Sequence, residues 1–326
     1  MKGSYRIIIS NAVLRYDFTI HRNITIIKGN SATGKTTLIE MMREYYESGE
    51  NSGIQLKCDR PCRVLGGRDW KVLLETMKES IVFIDEGNDF LPSNEFAMRV
   101  RQSDNYYVIV TREGLPNLPY SVDEIYGIRE SGKYASLKQT YNELYHIYGR
   151  YDRNSLLRPQ CIIVEDSNSG FDFFKGIFDK AGISVLSAKG KSNIFSSVLH
   201  HADKKILVIA DGAAFGPEMD RIMKIVRHRD GLVLYLPESF EWLILKSGIV
   251  PLKNLTNILD SPEDYIESSE YFSWERYFTA LLTSETKDSY LRYSKNRLNP
   301  IYLQEEISDK ITRTMTGLEL SYRRDT

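Results

Sequence analysis

Short apolar runs recur along the first half of the chain at lengths that suit strands. Tyr5–Ile9, Phe18–Ile20, Ile24–Lys28, Ile81–Asp85, Tyr106–Thr111 and Glu124–Arg129 each read as a strand, and Lys35–Tyr46, Trp70–Lys78 and Glu95–Gln102 carry helical spacing. A second block repeats the scheme. Strands at Cys161–Glu165, Ile183–Ser187, Lys205–Ala210 and Gly231–Leu236 alternate with helices at Gly170–Ala181, Ser192–His201 and Glu218–Arg227. Such alternation predicts mainly parallel sheets with helices packed on them. Between the blocks, Gln139–Tyr151 is polar and Tyr-rich and predicts a helical linker. Beyond Phe240 the chain reads as helical, charged and rich in aromatics. The expected fold class is α/β, with one domain over 1–138, a linker helix over 139–159, a smaller α/β domain over 160–245 and a helical extension over 246–326.

Composition narrows the function classes. Lys plus Arg is 43 and Asp plus Glu is 44, so the net charge is −1 over 326 residues, which excludes a polycation held on nucleic acid by bulk charge. No apolar run approaches the ~20 residues that span a bilayer, and the first residues carry no signal-peptide core. Three cysteines cannot build a disulfide framework. Cys58 and Cys62, four apart with no neighbouring His, read as free thiols rather than zinc ligands. A cytoplasmic protein without membrane contact is expected. The five histidines form no recognisable site.

Gly29-Asn30-Ser31-Ala32-Thr33-Gly34-Lys35-Thr36 fits G-x-x-x-x-G-K-[ST], with a strand before it and a helix from Thr36 and Thr37 after it. Glycines let successive N–H groups curl around a phosphate, and the helix N-terminus adds its dipole. Lys35 would reach the β and γ phosphates of ATP, and Thr36 would ligate Mg²⁺. Asp85, ending the apolar run Ile81–Ile84, would hold the same metal, and Glu86 would polarise the attacking water. These residues resemble the ATP-binding-cassette type of P-loop ATPase, including the overcoming-lysogenisation-defect (OLD-like) group. In that group the last strand ends in Thr-His, whose His contacts the γ-phosphate. Here Thr111-Arg112 stands at the matching place, so the resemblance makes Arg112 a phosphate contact. The chain departs from the family in having no Leu-Ser-Gly-Gly segment between Lys35 and Asp85.

In the second block Glu165 and Asp211 each end an apolar strand, so both would project at the carboxyl edge of one sheet, where such sheets place ligands. Two carboxylates there call for a cation, and Mg²⁺ is the natural one. Ile162–Asp166, Ala188–Asn193, Val208–Gly216 and Pro237–Leu243 resemble the Toprim fold of topoisomerases, primases and OLD-type nucleases. The resemblance implies acid/base work for Glu165 and metal binding for Asp211. The family's Asp-x-Asp-x-x-Gly reads Asp211-Gly212-Ala213-Ala214-Phe215-Gly216 here, with alanine at a ligand position. Glu218, Asp220 or Glu241 are candidates to compensate. Lys189, Lys191 and Asn193 are candidate phosphate contacts. Tyr290–Arg297 interleaves cations with Tyr, which suits either a single-stranded nucleic acid or a packed helix with solvated charges.

Three functions follow. The first is an ATPase whose nucleotide state controls a Toprim-like effector that cleaves nucleic acid with a metal, in phage defence or DNA processing. The second is an ATP-dependent regulatory module with a catalytically dead Toprim-like domain that binds a partner protein, a second copy or nucleic acid. The third is a small-molecule kinase.

Overall fold

The computed structural model describes residues 1–29, 34–131, 139–148, 156–315 and 319–320. The protein is α/β and divides into two compact units. The first comprises Met1–Gly149 with Ser261–Phe272, and the second comprises Arg150–Asp260 with Ser273–Thr326.

The strands of the first unit are β1 (Tyr5–Ser10), β2 (Leu14–Ile20), β3 (Ile24–Ile27), β4 (Gln55–Lys57), β5 (Cys62–Val64), β6 (Ile81–Ile84), β7 (Tyr106–Val110), β8 (Ile125–Glu130) and β9 (Thr140–His146). Its helices are α1 (Lys35–Ser48), α2 (Trp70–Thr76) and α3 (Asn94–Arg101). They build one sheet in the order β4-β1-β2-β9-β8-β3-β7-β6-β5. The run β8-β3-β7-β6-β5 is parallel throughout. Its central strands are buried on both faces, as the apolar runs of β6 and β7 require; in β3 the buried Thr25 satisfies its hydroxyl by donating to Glu124 at 2.9 Å. One face packs Ile27, Phe83 and Val108 against Leu38, Ile39 and Met42 of α1. On the other, Trp70 stacks on Phe90, and Phe96 meets Tyr107 edge-on.

Among the described residues of 139–159 the expected linker helix is not formed. Thr140–His146 is strand β9, antiparallel to β8 and parallel to β2. Its Tyr-rich composition suits a pleated, half-exposed surface. Without it the facing edges of β2 and β8 would leave backbone groups unpaired in mid-sheet. A piece of the expected helical extension also joins this unit: Gly3 N–H donates to the Glu263 carbonyl at 2.7 Å, and Asn23 Nδ2 donates to the Phe272 carbonyl at 2.9 Å.

The second unit has β10 (Leu156–Leu157), β11 (Cys161–Val164), β12 (Ser184–Ser187), β13 (Ile206–Ile209), β14 (Leu232–Tyr235) and β15 (Glu319–Leu320). Its helices are α4 (Ser169–Phe178), α5 (Ile194–His200), α6 (Met219–Val226), α7 (Phe240–Lys246), α8 (Leu255–Asp260), α9 (Trp274–Thr286) and α10 (Glu305–Arg313). Four strands form a parallel sheet in the order β12-β11-β13-β14. The chain leaves β11 to one side for β12, then crosses back past β11 to β13. That reversal opens a crevice at the carboxyl ends of β11 and β13. The helices beyond α7 do not stand apart. Phe278 and Leu282 of α9 and Ile311 of α10 share one core with Phe173, Phe174 and Leu243.

Candidate functional site

The first site lies at the carboxyl edge of β3, β7 and β6. Ile27 is paired with Val110, and Ile84 with Ile109, so Lys28, Thr111 and Asp85 leave the sheet at nearly one level. Asn30, Ser31, Ala32 and Thr33 lie outside the described residues; Gly29 and Gly34 flank them. Gly34 sits at φ +83°, and a Cβ there would fall 2.8 Å from the Tyr16 hydroxyl. That hydroxyl donates to the Gly34 carbonyl at 2.9 Å, so the loop's end rests on a buried Tyr that leaves room only for glycine.

Lys35 opens α1 with its side chain buried, and its Nζ donates to the Gly29 carbonyl at 2.9 Å. Burial lowers its pKa, and Arg112 adds to that, against the pull of Glu86 and Asp85. Thr36 is exposed and Thr37 half-buried. No side chain caps α1, and its first turn holds no acid. Its first amides are therefore not claimed by a side-chain cap.

Asp85 accepts the Glu86 N–H at 2.9 Å, and its carbonyl accepts Asn88 Nδ2 at 2.9 Å. Burial raises its pKa, and Glu86 and Glu40 reinforce this while Arg43 opposes it. Glu86 is gripped by Arg112 in a two-pronged ion pair, Nε to Oε2 at 3.0 Å and NH2 to Oε1 at 2.8 Å. Lys35, Asp85, Glu86 and Arg112 are thus brought together. The hydroxyl and carboxylate donors of Thr36 and Asp85, beside an uncapped helix start, fit a magnesium ion carried by phosphates.

The second site occupies the crevice of the parallel sheet. Glu165 and Asp211 meet there, the Asp211 N–H donating to Glu165 Oε2 at 3.0 Å. A cavity of about 20 Å³, room for about one water, is lined by Glu165, Asp166 and Asp211 over an apolar floor of Phe174, Phe240 and Leu243. The turn after Asp211 presses on the end of β14. Gly212 N–H donates to the Pro237 carbonyl at 2.6 Å, and a Cβ on Gly212 would lie 2.6 Å from the Leu236 carbonyl.

Burial raises Glu165 to about 7, with Glu275 and Asp166 adding to it and the Asp211 amide and Lys191 opposing. Burial also raises Asp211 well above the carboxylate range, reinforced by Glu275, Glu165 and Glu241. The cations of the site come from the chain. Lys191 Nζ donates to the Ala214 carbonyl at 2.8 Å. Lys295 pairs closely with Glu275 and lies 4.0 Å from Glu241, which also accepts the Tyr293 hydroxyl at 2.8 Å. Burial works to lower Lys295, but Glu241, Glu275 and Asp211 outweigh it and the pKa rises.

Among the described residues no three acid, His or Cys groups stand together to hold a metal ion. Ala213 is buried where a ligand was looked for. Alanine offers no donor at that position, so of the motif's carboxylates Glu165 and Asp211 are the two that remain. Asn193 is spent on its own turn, donating to the Lys189 carbonyl at 3.2 Å. Glu275, Tyr293 and Lys295 reach this crevice from more than 60 residues beyond Asp211, a placement that nothing local in the sequence announces. Tyr290–Arg297 is not a helix: Leu291 and Tyr293 turn inward while Tyr290, Arg292, Ser294, Asn296 and Arg297 are exposed.

No protein-family model matches the chain, and no curated protein matches it. Among the described residues no helix is long and apolar enough to cross a membrane.

Proposed function

We propose that the first unit binds and hydrolyses ATP as a P-loop ATPase of the cassette or OLD-like type. The second unit, in this reading, is a Toprim-like effector that binds rather than cleaves, under control of the nucleotide state. The carrying observation is the convergence of Lys35, Asp85, Glu86 and Arg112 at the uncapped start of α1. Thr36 and Asp85 would hold Mg²⁺, which when bound supplies charge neutralisation on the β and γ phosphates. Lys35 would exchange the Gly29 carbonyl for a phosphate oxygen, a stronger, charge-assisted partner. Glu86 would orient and deprotonate the attacking water once Arg112 turns to the incoming phosphate. The binding-only reading of the second unit is favoured by Ala213 and by the ammonium of Lys295 among the acids. The chain passes between the two units three times, which gives a change in one a covalent route to the other.

Calorimetry with ATP and Mg²⁺ tests the first part. Lys35→Ala is expected to abolish binding or weaken it at least a hundredfold, and unchanged affinity would remove the loop from its role. Glu86→Gln is expected to keep affinity within a few-fold while turnover falls by about 10²–10³; intact turnover would place the base elsewhere. For the second unit, incubation with DNA or RNA and Mn²⁺ should give no cleavage that Glu165→Ala abolishes.

A further inference from the structure

Beside the acid crevice of the second unit lies a groove of about 890 Å³, walled by α9 and the loop after it. Its lining holds four cations, Arg276, Lys287, Arg292 and Lys295, and one acid, Glu275. Lys295 already neutralises that acid. Arg276, Lys287 and Arg292 are exposed, and none has a carboxylate partner among the described residues. The net field in the groove is therefore positive, although the chain as a whole is nearly neutral.

Arg276 in the first turn of α9 and Lys287 at its C-cap stand eleven residues apart, which returns them to the same helix face about 16 Å apart. That is too far for one phosphate to bridge and suits an extended polyanion. Thr279 and Thr283 lie between them on the same wall. At the mouth of the loop Tyr290 is 71 % exposed, a ring offered to solvent two residues from Arg292. A polymer of Asp and Glu alone would use the cations and leave the ring, whereas nucleobases stack on such a face.

We propose that this groove binds the backbone of a single-stranded nucleic acid, and that it does so without a divalent metal because Arg276, Lys287 and Arg292 supply the positive charge while Lys295 cancels the acid at the inner end. The inference rests on the reading of the second unit as a binding unit and is independent of ATP at the first.

The test is fluorescence anisotropy of the full chain with a labelled twenty-nucleotide oligo-dT, in EDTA, across a series of salt concentrations. Oligo-dT is expected to bind in EDTA, and several-fold more tightly than a duplex of equal length. Arg276→Glu, Lys287→Glu and Arg292→Glu together should weaken it at least tenfold and flatten the slope of log K against log salt by about 2. Tyr290→Ala should weaken it several-fold with the salt slope unchanged. All four positions are exposed, so thermal midpoints near wild type are expected to show that the variants fold. Should the triple variant unfold, the single Arg292→Glu is read in its place. Absence of binding, a requirement for Mg²⁺, indifference to the charge reversals, equal binding of the duplex, or displacement by polyglutamate as effective as by unlabelled oligo-dT would each overturn the proposal. Calorimetry with ATP on the triple variant reads the first unit separately, so the two readings fail independently.

Discussion

Arg112 sits where sequence comparison looks for a γ-phosphate contact, yet its guanidinium is spent on Glu86. The pair is largely exposed, so it contributes at most about 1 kcal/mol to stability. Arg112→Ala is therefore expected to shift the thermal midpoint by no more than a few degrees. A fall in ATP turnover beyond tenfold would then belong to the phosphate side. Cys58 carries a second, unrelated chemistry. A hydrogen bond from Cys62 brings its pKa down to about 7, against the cost of burial. Iodoacetamide should label Cys58 first, with a half-maximal rate near pH 7, and Cys62→Ala should move that midpoint upward. Glu165 gives the pH prediction. Its carboxyl is raised to about 7 in the folded chain, so the folded state binds more protons than the unfolded one between about 4.5 and 7. Stability must then decline as pH rises through that window, by roughly 3–4 kcal/mol at most. In EDTA, Glu165→Gln should flatten the decline in thermal midpoint from pH 5 to pH 8; a variant that keeps the wild-type slope would contradict the assignment.

Among the elements, the turn joining β13 to its following helix is the most constrained. Gly212 faces the carbonyls of Leu236 and Pro237, which are backbone and cannot swing away. Gly212→Ala is expected to cost about 1–3 kcal/mol through forced backbone movement, measurable by urea unfolding. A change under 0.5 kcal/mol would mean that the turn relaxes freely. Strand β9 shows where local reading fails. Thr140–His146 mixes four polar residues with two Tyr and one Leu, and none of its side chains is fully buried. Neither a period of 2 nor one of 3.6 is sharply marked in such a segment. The strand exists because β2 and β8 present complementary edges, and every residue it pairs with lies more than ten positions earlier in the chain. By contrast, β6, β7, β11 and β13 are legible from four or five consecutive apolar residues each, and β3 from three isoleucines around Thr25.

For the whole molecule, neither unit is a continuous stretch of chain. Phe278, Leu282 and Ile311 are fully buried in the core of the second unit, together with Leu291 and Tyr302. At roughly 1.5–3 kcal/mol for each large apolar side chain buried, their loss approaches the whole stability of a typical domain. A chain cut after Asp260 also deprives the first unit of the segment that meets Gly3 and Asn23. Scanning calorimetry of that fragment is expected to show no cooperative transition of native enthalpy for the second unit, and a lowered midpoint for the first. A second unit that melts at its full-length temperature without α9 and α10 would refute the shared core.

The apolar strand runs and the Gly-Lys-Thr motif needed no partner to be recognised, because burial on both faces and a glycine-bounded step from strand to helix leave their mark within about ten residues. From these the α/β class, the alternation of strand and helix, and the grouping of Lys35 with Asp85 and Glu86 could be read directly. The insertion of β9, the recruitment of Ser261–Phe272 and the arrival of Lys295 beside Glu275 and Glu241 could not. Each of these satisfies a demand that arises only in the folded chain: an unpaired strand edge, an uncovered surface, a buried negative charge. The residues that answer such demands are chosen by distance in space, and nothing in their own neighbourhood along the chain announces them.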